Sequence, residues 1–310
     1  MGSSLRLLML ATGLLLASVG AAQPADSGDL SPTELSLVDA FLESYRSATA
    51  IPHIPPDSLT ESQAYRIADA YVEILERTEG PVAGYKIGTF AAGQYDDGPV
   101  DGFSGPVTAV MFAGGLHADG HQVDINCCNF SFVEADFAAE VRDASINEAQ
   151  SELEILAALR GFRPFIEMPD ILRTTPDSSR YSGIATNYDF RNGIAGELIP
   201  IPATPAGLER LRSFSYTMTN ESGAVLGEGD IADAYDPVYR VRALRDRLLQ
   251  RGRVLKAGDL LSLGNMGTIR PLKPGVYMLE RPRFEGSTAT VTYYGLGDNG
   301  PSRVRVNLDR

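Results

Sequence analysis

Four charged side chains set in apolar runs are the residues of this 310-residue chain best suited to chemistry. Glu134 and Asp136 lie in Ser131-Phe132-Val133-Glu134-Ala135-Asp136-Phe137-Ala138-Ala139, a stretch rich in the β-branched and aromatic types that favour strands. Side chains alternate across a strand, so the two acids point the same way, about 6.5 Å apart, within reach of one cation. Glu167 sits in a second apolar run, Pro164-Phe165-Ile166-Glu167-Met168-Pro169-Asp170, and Lys86 in a third, Gly84-Tyr85-Lys86-Ile87-Gly88. An isolated E-x-D would belong to the wet face of an amphipathic strand. Here Val133, Ala135 and Phe137 fill the other face, and buried carboxylates need a counter-charge. Carboxylate oxygens with no neighbouring histidine favour Mg2+ or Mn2+ over zinc, so Glu134, Asp136 and Glu167 are the expected metal ligands. Lys86 has two readings. As a structural residue it snorkels or forms an ion pair; as a functional one it holds a substrate carboxylate or a developing enolate. On the functional reading, a nearby metal lowers its pKa and Lys86→Met melts within a few degrees of the parent.

The order of these segments is similar to that of a known family. G-x-K-I-G, the strand E-x-D, P-x-x-E-x-x-D, an Asn-led segment running from Asn187 to Gly196, and Gly258-Asp259-Leu260-Leu261-Ser262-Leu263-Gly264 follow one another. Together, over roughly residues 60–275, they resemble the 2-keto-4-pentenoate hydratase and 4-oxalocrotonate decarboxylase branch of the fumarylacetoacetate hydrolase superfamily. The resemblance implies an α+β fold, with a helical N-terminal part followed by a mixed β-roll. It implies a metal-dependent hydratase, a lyase acting on a 2-keto (2-hydroxydienoate) acid, and the same three acids as metal ligands, Asp136 standing where relatives carry glutamate. Lys86 matches the family's lysine. Asp101, in Val100-Asp101-Gly102-Phe103, matches its catalytic acid with a displacement of one residue. Asn187 and Arg191 are the substrate-contact candidates, Arg191 because its planar fork suits a second carboxylate. Alternatives are a C–C bond-cleaving hydrolase or decarboxylase of the same superfamily, and an exported, non-catalytic binder of metal and 2-keto acid. A homo-oligomer is implied as well.

The elements that must position these residues are readable in turn. Residues 1–22 have a positive start at Arg6, an apolar Leu7–Leu16 and the small residues Gly20-Ala21-Ala22, which predicts a signal peptide cleaved before Gln23. The protein is then periplasmic or secreted, without a stable membrane anchor. Residues 23–80 read as a leader and helical part, with helices opening at Ser31-Pro32 and at Thr60-Glu61-Ser62-Gln63. Residues 81–310 read as the catalytic β domain. Strands are expected at Val82–Ile87, Val107–Phe112, Asn129–Val141, Phe165–Met168, Leu260–Leu263 and Ala289–Tyr294, and a hairpin about Asn220-Glu221-Ser222-Gly223. Helices are expected at Asn147–Leu159, closed by Gly161, and at Pro237–Arg251.

Composition narrows the classes. A formal net charge of -13 argues against nucleic acid or anionic lipid as partner. The only cysteines, Cys127 and Cys128, are adjacent. Neighbouring Cα atoms lie about 3.8 Å apart, below the usual disulfide range, so two small buried thiols are expected, with a strained vicinal disulfide as the alternative. His53, His117 and His121 are too scattered for a zinc motif, and neither a G-x-S-x-G elbow nor a Walker loop is present.

Overall fold

A computed structural model of the chain describes residues 29–88, 105–173, 179, 181–231, 235–273 and 281–309. The expected signal peptide at 1–22 and the candidate acid Asp101 lie outside the described residues.

Two capped helices come first. In α1 (Pro32–Ser47) the Ser31 side chain accepts from the Glu34 N–H while the Glu34 carboxylate accepts from the Ser31 N–H. In α2 (Glu61–Glu79) Thr60 and Gln63 make the same reciprocal cap. Each cap satisfies N–H groups that the helix itself leaves without partners. The buried faces meet through Phe41 and Tyr45, both packed edge-on against Tyr71.

The remaining elements are β1 (Val82–Gly88), β2 (Val107–Phe112), β3 (Leu116–Ala118), β4 (Gln122–Asp124), β5 (Phe132–Val141), α3 (Glu152–Ala157), β6 (Leu159–Met168), α4 (Ser182–Ala185), β7 (Asn192–Ala195), α5 (Pro205–Leu211), β8 (Ser215–Asn220), β9 (Val225–Asp230), α6 (Pro237–Gln250), β10 (Leu260–Ser262), β11 (Ile269–Pro271), β12 (Thr288–Gly297) and β13 (Gly300–Asp309). A mixed sheet runs β2-β1-β10-β5-β6-β7-β3, with β11 also on β5; a second sheet runs β4-β13-β12-β8-β9. In the first, β1 is parallel to β10 and β3 to β7, while β5 is antiparallel to β6.

The core lies between the sheets. Phe137 of β5 stacks on Phe162 of β6 with ring centroids 5.1 Å apart and on Tyr293 of β12 at 5.6 Å. Each fully buried ring contributes roughly 1.5–3 kcal/mol. The Tyr293 hydroxyl donates to the backbone carbonyls of Asp136 and Phe165, which pins the second sheet to the strands that carry the acids. This is the α+β arrangement the sequence predicts, a helical N-terminal part followed by a mixed β-roll.

Three local expectations change. The helix expected at 147–159 is a 3-10 turn at Ala144–Asn147 and the short α3. Its last residues instead open β6, because Gly161 lies so close to the Ile199 carbonyl that a Cβ would overlap it, and Phe162 pairs with Ile199. The strands β3, β4, β7, β11 and β13 were not expected; β13 lies inside the second sheet, between β4 and β12. Cys127 and Cys128 form a vicinal disulfide rather than two thiols. A tight turn, closed by the Cys127 N–H on the Asp124 carbonyl at 3.1 Å, carries the pair.

Candidate active site

The register of β5 and β6 sets Glu134 directly opposite Glu167. Lys86 on β1 lies beside Ser262 of β10, one strand away from β5. Glu134, Glu167 and Lys86 thereby share one wall of a cavity of about 570 Å³, within the size range of small-ligand sites. Phe132, Ile231 and Met266 supply apolar lining; Arg173, Arg240 and Arg281 supply positive charge.

The Lys86 ammonium forms an ion pair with Glu167, and both side chains are buried. It also donates to the Tyr188 carbonyl at 3.1 Å and lies 5.3 Å from the centre of the Tyr188 ring. Burial opposes the charge on Lys86, but Glu167 and then Glu134 outweigh it and hold the amine above its ordinary range. Without a cation in the site, the two glutamates thus favour the protonated amine. Burial, followed by the charge of Glu167, pushes the Glu134 carboxyl well above its usual range. Asp136 is lifted to about 7 by burial and then by Glu167, against the donors that face it.

Those donors place Asp136 differently from its neighbours. Its carboxylate accepts from the Ser262 hydroxyl at 2.6 Å and from the Phe137 N–H at 2.5 Å. It is fully buried behind the cavity wall rather than on it. The ready-made trio of ligands expected from the sequence is therefore not formed. Among the described residues, no three His, Cys, Asp or Glu side chains stand in metal-holding geometry. The physical reason is local, since the shorter aspartate finds a hydroxyl and an N–H within its reach. The donor chemistry nonetheless fits a hard divalent cation. Glu134 and Glu167 offer carboxylate oxygens side by side on the cavity wall, and the buried Asp136 adds negative charge behind them.

The two substrate-contact candidates are directed elsewhere. The Asn187 amide accepts from the Val110 N–H at 2.8 Å and donates to the Val110 carbonyl at 3.0 Å, extending β2 like one more strand residue. Arg191 lies 3.8 Å above the Tyr45 ring and donates to the carbonyls of Tyr45 and Cys127, both at 3.1 Å. It lines a separate cleft of about 270 Å³ with His117 and His121. The arginines of the cavity itself went unnoticed in the sequence. Arg173 is held by Asp189 at 2.7 Å; Arg240, in the first turn of α6, donates to the Leu263 carbonyl and stacks on Tyr235. A helix start rich in arginine reads as a solvated face, and only the tertiary contacts turn Arg240 inward.

No family model matches the chain, and no curated protein does. Solved structures do match in shape. 4-Oxalocrotonate decarboxylase from Pseudomonas putida G7, complexed with magnesium and adipate, aligns with a TM-score of 0.69 at 19% identity, covering 91% of this chain and 99% of that one. The same enzyme complexed with calcium and acetate aligns at 0.67 with 19% identity and the same coverage. The chain has the fold of 4-oxalocrotonate decarboxylase.

Proposed function

We propose that this chain is a divalent-metal-dependent hydratase, a lyase that adds water to a small 2-keto (2-hydroxydienoate) acid. The observation that carries the reading is the juxtaposition of Glu134, Glu167 and Lys86 on one cavity wall, carboxylates able to hold a cation beside a protonated amine. Glu134 and Glu167 would hold Mg2+ or Mn2+, with Asp136 adding negative charge behind them. Such a cation, when bound, supplies a Lewis acid for the carboxylate and 2-oxo oxygens of the acid. Lys86 stabilises negative charge as it develops on the 2-oxo oxygen. Arg173, Arg240 and Arg281 attract an anionic substrate, and Phe132, Ile231 and Met266 exclude water around it.

C–C bond cleavage, hydrolytic or decarboxylating, is the second reading. It uses the same stabilising charge, and the shared fold with a decarboxylase favours it. Both readings are tested by incubating the protein and Mg2+ with 2-hydroxypenta-2,4-dienoate and with 4-oxalocrotonate, following loss of the diene and release of carbon dioxide. Metal-dependent loss of the diene that Glu134→Gln abolishes is the expected result; carbon dioxide release selects the second reading. With neither activity, and Mn2+ still bound, the chain is the non-catalytic binder and the enzyme reading falls. Export and assembly into a homo-oligomer belong to the proposal, read by an intact mass that begins near Gln23 and by light scattering.

A further inference from the structure

Three consecutive non-glycine residues beside the cavity have left-handed backbone: Asn187 at φ 56°, Tyr188 at 46° and Asp189 at 59°. Residues with a Cβ disfavour this region and persist in it only where their surroundings over-determine them. Here both flanks are pinned. Asn187 clasps the backbone of Val110. The Asp189 carboxylate accepts from Arg173 at 2.7 Å and from the Thr186 hydroxyl at 3.1 Å, and its carbonyl accepts from the Asp170 N–H at 2.8 Å. Tyr188 is presented between these clamps, and what it presents it aims at one atom. Its carbonyl oxygen lies 3.1 Å from Lys86 Nζ and its ring centre 5.3 Å away. The ring rests on Gly88, where any Cβ would overlap it, so β1 ends in the one residue type that leaves the ring room. Of the chain's three lysines, Lys86, Lys256 and Lys273, only Lys86 is buried.

The other anchor of Lys86 is Glu167, a residue the proposed function commits to a cation. A carboxylate engaged by a divalent ion offers less charge to an ammonium. The carbonyl and ring of Tyr188 carry no such conflict. We propose that Tyr188 is the positioning residue for Lys86, its left-handed backbone giving the ammonium a second anchor that persists when Glu167 is otherwise engaged. The idea rests on the reading of the cavity as a metal-dependent site, and its test separates the two.

The test is reductive methylation with formaldehyde and cyanoborohydride, with and without Mn2+. Lys86 is read by peptide mass, with Lys256 and Lys273 as internal references. Wild-type Lys86 is expected to react slowest and to stay slow when Mn2+ is added, and Tyr188→Phe to behave alike. Tyr188→Asn accepts left-handed backbone, keeps the carbonyl and removes the ring; Lys86 should then react about tenfold faster in the presence of Mn2+, the factor set by losing a desolvated cation–π contact. Gly88→Ala displaces the ring without altering Tyr188 and should give the same rise, so the outcome does not hang on the folding of one variant. Wild-type rates for Lys86 in both variants overturn the proposal. Positioning is told from packing by deuterium exchange at C3 of 2-oxobutyrate: in Tyr188→Asn kcat falls while KM stays within about twofold, and Tyr188→Phe restores kcat. A rise in KM alone overturns the proposal. If wild type exchanges no deuterium, kcat and KM are read on 2-hydroxypenta-2,4-dienoate instead; with no turnover of that either, the proposed function fails, and the labelling still decides the role of Tyr188.

Discussion

Replacing Lys86 by methionine keeps most of the apolar stem and removes the ammonium that Glu167 faces. The two side chains of that pair are only 5% and 2% exposed. Breaking a buried pair from one side costs about 3–5 kcal/mol, because the remaining charge is left uncompensated. Glu134 adds to this, since Lys86 is the charge that most eases its ionisation. At 2–4 °C per kcal/mol for a chain of roughly this size, the loss is a melting point lower by roughly 10 °C at about pH 8 in chelator. That is well beyond the few degrees expected while the lysine was read as purely functional. The deficit should shrink at about pH 5. A carboxyl whose native pKa is raised binds its proton more tightly folded than unfolded, so its ionisation no longer penalises the fold as pH falls through that native value. Glu134 meets that condition, through burial and then Glu167. Thermal melts by circular dichroism, wild type against Lys86→Met at both pH values with EDTA, measure the difference. Equal melting points at about pH 8, or a larger deficit at the acid pH, would refute the pairing argument.

Glu134→Gln should raise the melting point of the metal-free protein by a few degrees, by removing like-charge repulsion with Glu167, and weaken Mn2+ binding in calorimetry at least tenfold. Asp136, whose carboxyl rises from 3.8 unfolded to about 7 folded, should take about 4 kcal/mol of stability from the metal-free protein as pH rises between those values. Urea unfolding across that range measures it, and Asp136→Asn should flatten the slope. Asn187→Ala strands the Val110 N–H and carbonyl and should lose roughly 2–4 kcal/mol in the same assay, with substrate KM unchanged because the amide does not reach the cavity.

The parts of the molecule legible in the sequence are those decided by near neighbours. Ser31 with Glu34 and Thr60 with Gln63 mark both helix starts, because a cap is a three-residue device. Alternation in Phe132–Val141 puts Glu134 and Asp136 on one face, and the apolar runs around Glu167 and Lys86 mark them as buried charges. Distant partners decided the rest. Asp136 could not be seen to prefer Ser262, far along the chain, over the cavity. Nothing in a tyrosine announces left-handed backbone; Tyr188 is forced into it by Val110, Arg173 and Asp170. Arg191 reads as a carboxylate fork until Tyr45, a residue of the first helix, offers it a ring to stack on.

The short strand β10 also bears on the order in which the molecule assembles. It wedges between β1 and β5, and its Ser262 reaches Asp136 across a sequence separation of 126 residues. Until that segment arrives, β1 and β5 cannot be joined into one sheet, Lys86 is not held opposite Glu167, and each strand exposes an unpaired edge. Pairings of such long range are closed slowly, since loop entropy is lost before contacts repay it. The cavity is thus a late product of folding. A chain emerging N-terminus first holds its acids on an open edge until about five-sixths of its length is available, and that interval is when it most needs protection from pairing with other chains.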